Sequence, residues 1–283
     1  MKLNNINKVW YVTGASKGLG LSLVKKLLAA GYRVAATSRN KAALGLAVGQ
    51  TDSQQFLALE VDLFNSESIQ KSVQQAHDHF GGLDVVVNNA GYGIGGSAEE
   101  LSIGEIRENF EVNVFATITV VQRVLPYLRA QRSGHIINIS SIAGFAPTAG
   151  WSLYNAAKFA VTGFSEALAS DVSELGIKVT VVMPGAFRTQ FLSGESLFVP
   201  ANQISDYEAV HATYARFKAI DGKQAGDPEK AADIFIALAE NPEPPVRLFL
   251  GSDAYSRAAA KIAQLASDLE RDKALSQSTD FLV

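Results

Sequence analysis

The stretch KVWYVTGASKGLGLSLVKKLLAAG, residues 8–31, decides how the chain is read. It opens with a short apolar run and closes with a helical pattern, and between the two stand Thr13, Gly14, Gly18 and Gly20. Glycines at such a junction allow a tight turn and a close backbone approach, so that N–H groups at the start of the helix can meet a pyrophosphate. The spacing alone says little, because the same turn also serves simple packing of a helix on a sheet. A strand before it and a helix after it supply the context that favours a dinucleotide.

Working outward, short β-rich runs alternate with longer helical ones. After this first unit come YRVAATSR, a helix near KAALGLAV, QFLALEVDL, the helix IQKSVQQAHDHFG, LDVVVNNAG, and one long helix IGEIRENFEVNVFATITVVQRVLPYLRAQ. HIINISS, a further helix, IKVTVVMPG, the helix PEKAADIFIALAE and VRLFLG complete the series. Strands that are apolar throughout suit a parallel sheet buried on both faces. Repeated βα units predict an α/β fold, a doubly wound parallel sheet with helices on both faces, in one domain spanning residues 1–283. A ligand then belongs beyond the carboxyl ends of the strands, at the switch point. Residues 186–227 break the rhythm, and a long loop carrying its own helix is expected to act as a lid.

Composition narrows the function classes. The chain has 283 residues, 47% hydrophobic and 19% charged, with a formal net charge of −3, which offers no broad basic field for nucleic acid or an acidic membrane. There is no cysteine, so disulfides and thiolate metal sites are excluded, in keeping with a reducing compartment. The polar start MKLNNINKVW and the lack of an uninterrupted apolar span lead to the expectation of a cytoplasmic protein.

The second strand ends in Thr37, Ser38 and Arg39, where an NAD site would ordinarily carry a carboxylate for the adenosine ribose. Arg39 offers a fork of donors to a 2′-phosphate, and Lys17 lies in the glycine turn near the same point, so NADP(H) is the expected cofactor. Asp62, after the third strand, is positioned to accept from an adenine amine. The small residues of Asn88-Asn89-Ala90-Gly91 let a cofactor lie against the backbone, Asn88 serving either that contact or the joining of neighbouring strands.

In WSLYNAAKFAVTG, residues 151–163, Tyr154 and Lys158 stand four apart and share a helix face, with only small side chains at 156 and 157. Ser141 ends the preceding strand and can converge on them. A free phenol has a pKa of about 10, and an ammonium nearby favours its phenolate.

With these residues in order, the chain resembles the short-chain dehydrogenase/reductase family in its single-domain, Rossmann-type form. The resemblance rests on TGASKGLG at 13–20, NNAG at 88–91, Asn113 in EVNVF, Ser141, Tyr154-x-x-x-Lys158, and Pro184-Gly185 followed by Thr189. It implies Tyr154 as general acid/base, Ser141 orienting the substrate oxygen, Lys158 holding the ribose and lowering the tyrosine pKa, and Asn113 holding a water. It further implies that Thr189, with the backbone from Pro184 to Phe187, holds the nicotinamide carboxamide. Taken together, the candidate cofactor contacts are Gly14, Ser16, Lys17, Gly18, Leu19, Gly20, Ser38, Arg39, Asp62, Leu63, Asn89, Ala90, Gly91, Tyr154, Lys158, Pro184, Gly185, Phe187 and Thr189.

The expected reaction is hydride transfer between NADP(H) and a small carbonyl or alcohol substrate. A cofactor-binding regulator without turnover is the alternative, and an epimerase or dehydratase a more distant one. Family members are commonly homo-oligomers, so a dimer or tetramer is expected. His77 and His79 point in different directions on a helix, and His135 and His211 stand alone in sequence, so no metal site is expected. Trp151 either walls the substrate cavity or packs beneath the lid. Phe145, Phe187, Phe191, Leu192 and Tyr207 are placed near the expected mouth, and the helix from Ala254 to Lys273 either covers the domain or joins a partner.

Overall fold

The structure, a computed structural model, describes residues 7–49, 53–192 and 196–281. Its strands are β1 (Val9–Val12), β2 (Arg33–Ser38), β3 (Phe56–Glu60), β4 (Val85–Asn88), β5 (Gly93–Ile94), β6 (Gly134–Ile139), β7 (Ile177–Pro184), β8 (Leu197–Phe198) and β9 (Arg247–Leu250). Its helices are α1 (Gly18–Ala29), α2 (Lys41–Val48), α3 (Ser66–Phe80), α4 (Ile103–Phe110), α5 (Ala116–Gln131), α6 (Ser152–Asp171), α7 (Glu208–Ala219), α8 (Pro228–Glu240), α9 (Ser252–Arg271) and α10 (Lys273–Gln277).

Seven strands form one parallel sheet in the order β3-β2-β1-β4-β6-β7-β9, the doubly wound arrangement expected from the sequence. Alternate residues of each strand face opposite layers. Trp10, Val12, Val34 and Val87 pack with Leu23 and Leu27 of α1 and Phe235 of α8. Val9, Tyr11, Ala35 and Val86 pack with Val73 of α3, Val120 and Val124 of α5, and Leu168 of α6. Burial on both faces explains the continuous apolar strands, since no residue position is left for water. Among the described residues no helix is long and apolar enough to cross a membrane.

The strand order reverses beside β1, between it and β4, and there the two strand ends are stitched together. Thr13 Oγ1 accepts from the N–H groups of Asn89 and Ala90 at 3.0 and 3.1 Å, and Asn89 Nδ2 donates to the carbonyls of Thr13 and Gly14 at 2.9 and 3.0 Å. The crevice above is therefore a fixed feature of the sheet.

Two features depart from the sequence reading. The long helix expected over residues 103–131 is broken by a π turn at Glu111–Phe115 into α4 and α5, which places Asn113 at an irregularity rather than on a regular face. Residues 186–227 also hold more order than a loop with one helix. β8 pairs in parallel with β5, and a bridge between Phe187 and Gly226 closes the base of the segment.

Asn88 joins strands. Its Nδ2 donates to Asn138 Oδ1 at 2.8 Å, and Asn138 Nδ2 donates to Ser165 Oγ on α6 at 2.9 Å, all three side chains being buried. This chain fixes β4, β6 and α6 relative to one another. Asn138→Ala is expected to orphan Asn88 Nδ2, while Ser165 Oγ keeps its bond to the Val161 carbonyl, and to cost about 1–3 kcal/mol in urea unfolding; a loss under about 0.5 kcal/mol would show that the chain carries no such burden.

Candidate active site

The site is built from the ends of β1, β2, β3, β4, β6 and β7, which open into one cavity of about 870 Å³. At its β1 end the glycines are sterically required. Gly14 has φ +64°, and a Cβ there would lie 2.7 Å from Ala90 Cα; Gly18 has φ +58° and faces Thr189 at 3.5 Å. Helix α1 begins at this turn with no side-chain cap and no acidic residue in its first turn. Among the other helices, α2, α3, α4 and α8 start on Asn40, Asn65, Ser102 and Asp227, each accepting from its helix backbone, while α6, α7 and α9 also start without a side-chain cap. An uncapped N-terminus opening into a cavity has N–H groups and a dipole directed at whatever fills it, a setting that fits a pyrophosphate.

Beyond the glycine turn, Ser38 and Arg39 line the cavity at the end of β2, and Asp62 and Leu63 at the end of β3. The carboxylate nearest in register to Ser38 is Glu60, but it accepts from Lys41 N–H and is not among the lining residues. Arg39 is exposed at the rim, while Asp62 Oδ1 is occupied by Phe64 N–H at 3.0 Å. Ser16, Lys17, Leu19, Asn89, Ala90, Gly91, Pro184, Gly185, Phe187 and Thr189 all reach the same cavity.

At the far end, α6 is clamped to the tip of β6. Ser140 Oγ donates to the Lys158 carbonyl at 2.9 Å, and Lys158 Nζ donates to the Ile139 carbonyl at 3.0 Å. Gly144 makes this contact possible, since a Cβ there would lie 2.6 Å from the Lys158 carbonyl oxygen. The clamp brings Ser141, Tyr154 and Lys158 to one wall of the cavity. Lys158 Nζ stands 5.8 Å from the Tyr154 ring centre, and the two residues are only 5% and 7% exposed.

That burial governs their charge. Dehydration pushes the Tyr154 phenol well above its ordinary value, and the nearby Ser141 hydroxyl only partly offsets it. The lowering expected from Lys158 would act against this dehydration. Dehydration acts on the ammonium too, drawing Lys158 down to about 8, and neutral groups are favoured at both positions.

Two residues, Gly20 expected to touch the cofactor and Asn113 expected to hold a water, lie behind the cavity surface. Gly20 is packed on Asn89, where a Cβ would come 2.5 Å from Nδ2, so its role is close packing of α1. Asn113 is 1% exposed in the π turn and donates through Nδ2 to the Tyr92 and Asn109 carbonyls. Its Oδ1 has no partner and approaches Gly91, where a Cβ would lie 2.6 Å from Asn113 Oδ1 and 3.4 Å from Lys158 Nζ. Trp151 lines the cavity and also packs edge-on against Tyr154, Tyr214 and Phe217, so both roles considered for it are met. Phe187, Phe191 and Leu192 reach the cavity, whereas Phe145 packs on Phe249 and Tyr207 bonds Glu99.

Sequence reasoning missed two groups. Asp253 and Arg257, on the first turns of α9, line the cavity, and Asp253 Oδ2 accepts from Ala186 N–H at 2.8 Å. The available signal was positional, because α9 starts where β9 ends, on the carboxyl edge of the sheet. His211 also has a partner: its Nε2 lies 2.6 Å from Glu100 Oε1, which accepts from Ile204 N–H as well. Burial alone would raise the Glu100 pKa, but donors from Ser97, His211 and Ile204 hold it down at about 2. This joint fixes residues 197–219 beside the cavity. His77 stacks on Tyr127 and His79 meets the Ser53 carbonyl, and among the described residues no group of three metal-binding side chains converges.

The depressed Lys158 has a testable sign. The unfolded chain binds the extra proton between pH 8 and 10.5, so stability rises through that window relative to a variant lacking the amine. The stability of the wild type minus that of Lys158→Met should climb by about 3 kcal/mol from pH 8 to 10.5, read by denaturant melts. A flat difference would contradict the burial of a charged amine.

A family model described as short chain dehydrogenase matches residues 8–197. The chain is 34% identical over 277 residues to oxidoreductase BOA17 of Botryotinia fuckeliana, covering 96% of this chain and 100% of that one. A short-chain dehydrogenase from Streptomyces avermitilis superposes with a TM-score of 0.88 at 34% identity, covering 96% of this chain and 100% of that one. A metagenomic short-chain oxidoreductase solved in complex with NADP superposes at 0.67 with 26% identity, over 87% and 96% of the two chains. With its seven-stranded parallel sheet and the family's motifs gathered at one end of it, this chain belongs to the short-chain dehydrogenase/reductase family and is an oxidoreductase.

Proposed function

We propose that the protein is an NADP(H)-dependent carbonyl reductase, acting in reverse as an alcohol dehydrogenase, with Tyr154 as its general acid/base. One observation carries this reading: a dehydrated phenol and a dehydrated amine share a cavity wall with Ser141, opposite an uncapped helix start.

The residues fit a nicotinamide dinucleotide. The glycine turn and the α1 N-terminus suit its pyrophosphate, Arg39 and Lys17 suit a 2′-phosphate, and the absence of a lining carboxylate at the end of β2 suits NADP(H) over NAD(H). The NADP complex of the metagenomic neighbour is in line with this choice. When bound, the reduced nicotinamide supplies hydride to the substrate carbon.

The chain's own part is placement and proton handling. Burial keeps the Tyr154 hydroxyl protonated, so Tyr154 Oη is equipped to give a proton to a carbonyl oxygen gaining electrons, and Ser141 to donate a hydrogen bond to the same oxygen. Lys158, half deprotonated near pH 8, is equipped to return a proton to Tyr154. Residues 186–227 act as the lid: Phe191, Leu197 and Phe217 wall the cavity, and the Glu100–His211 joint fixes its base. Asp253 steadies the Gly185–Ala186 turn, since a Cβ at Gly185 would run into its carboxylate.

Tyr154→Phe should cut turnover of a reducible ketone by about 10²–10⁴ while NADPH affinity stays within about twofold. Steady-state rates and a fluorescence titration check both halves, and near-normal turnover would defeat the assignment. Arg39→Ala should raise the KM for NADPH about tenfold to a hundredfold and leave that for NADH unchanged. Equal effects on the two cofactors would remove Arg39 from phosphate recognition.

A further inference from the structure

The substrate half of the cavity is walled largely by apolar side chains, among them Ile94, Trp151, Phe191, Leu197 and Phe217. Charge enters the cavity at a few separate places. Lys17, Arg39 and Asp62 lie at its β1–β3 end, Lys158 lies beside Tyr154, and Glu105 and Glu108 project from α4. Asp253 and Arg257 enter from α9, close to the turn after β7 and the loop after Ser141.

Arg257 is half-buried, and the Nη2 group alone ties it to the protein, donating to the Ala146 carbonyl and, at 2.8 Å, to Thr148 Oγ1. Its remaining three N–H donors, one on Nε and two on Nη1, have no partner among the described residues. The obvious counter-charge is Asp253, one turn earlier on α9. That carboxylate is committed to Ala186 N–H through Oδ2 and its Oδ1 lies against Gly185; it makes no ion pair with Arg257 within 4.0 Å among the described residues, though its charge partly offsets the dehydration of the guanidinium. Arg257 thus lines the cavity with its guanidinium held through one nitrogen and three N–H donors uncommitted among the described residues. Such a group is pre-organised for an oxyanion, because the ordering that a flexible cation would need on binding is already done.

The geometry points to Arg257 as a specificity-determining residue that receives a carboxylate carried on the apolar body of the substrate, so that the protein acts on oxo acids or hydroxy acids in preference to their neutral counterparts. This rests on the carbonyl-reductase reading for the word substrate, but the recognition itself is a binding event and is tested as one. A purely structural role, a tie between α9 and the 146–148 loop, would be blind to the charge of the ligand. The two are separable.

The experiment is calorimetric titration of the NADP-loaded protein with phenylalkanoates of increasing chain length and with their primary amides, on the wild type and on Arg257→Gln. Glutamine keeps an N–H donor for Ala146 while removing the charge, and a thermal melt confirms that the fold is retained. Should that variant fail to fold, Arg257→Lys replaces it, keeping the charge while losing the planar fork. In the wild type, the best-fitting carboxylate should bind about tenfold or more tightly than its amide. Arg257→Gln should abolish that preference and leave amide affinity within about twofold, and Arg257→Lys should reduce it. Equal binding of acid and amide, no binding of either, or an equal loss for both in the variant would each overturn the proposal. If acids bind with the expected preference but matched oxo acids are not reduced with NADPH, it is the carbonyl-reductase reading that fails and the anion site that stands.

Discussion

Dehydration of two ionisable groups on one helix face is the constraint on which this structure turns. Tyr154 and Lys158 are taken out of water together because α6 is drawn down onto the tip of β6 through Ser140, Gly144 and the Ile139 carbonyl. Neither group can be charged there without loss, so the neutral form of each is favoured in the free protein. The Asn88–Asn138–Ser165 chain beneath them explains why the wall does not simply relax. These polar groups are buried and bonded largely to one another, which ties the two strands and the helix together.

Much of this was legible from residue order. The strand-turn-helix at 8–31 and the apolar strands spaced along the chain were enough to reach a doubly wound parallel sheet, because apolar strands of this kind need cover on both faces. The Tyr154–Lys158 spacing was likewise readable, since helical geometry alone puts them on one face. The π turn at Glu111–Phe115 was not, for one residue more in a turn leaves the apolar pattern nearly unchanged. Nor was the part played by Asp253 and Arg257, which meet the cavity only after the sheet has brought residue 186 against residue 253. Glu100 and His211 are separated by 111 positions, and no local pattern links them. The dehydration of Tyr154 was not legible either, because sequence shows which charges are neighbours and hides how much water has been removed.

The cavity divides its labour by chemistry. Its β1–β3 end offers backbone N–H groups and the cations Lys17 and Arg39, features suited to phosphate; its middle holds the buried phenol and amine beside the Ser141 hydroxyl; and the rest is largely apolar with a guanidinium entering from α9. Loops from the two halves of the sheet build the first two regions. The third is built by Ile94 and Trp151 together with residues 186–227 and α9, and it is there that substrate choice is expected to reside.

The ionisation of Tyr154 in the intact protein tests this account most directly. With the tyrosine rings labelled at Cζ by carbon-13, the Tyr154 resonance is identified as the one lost in Tyr154→Phe, and it is followed by NMR through a pH titration. The account predicts that in the free protein this carbon does not titrate at or below pH 10, the ordinary value for a phenol. A titration below that value, in the protein without cofactor, would mean that the ammonium outweighs dehydration, and the physical basis proposed here for the site would be wrong.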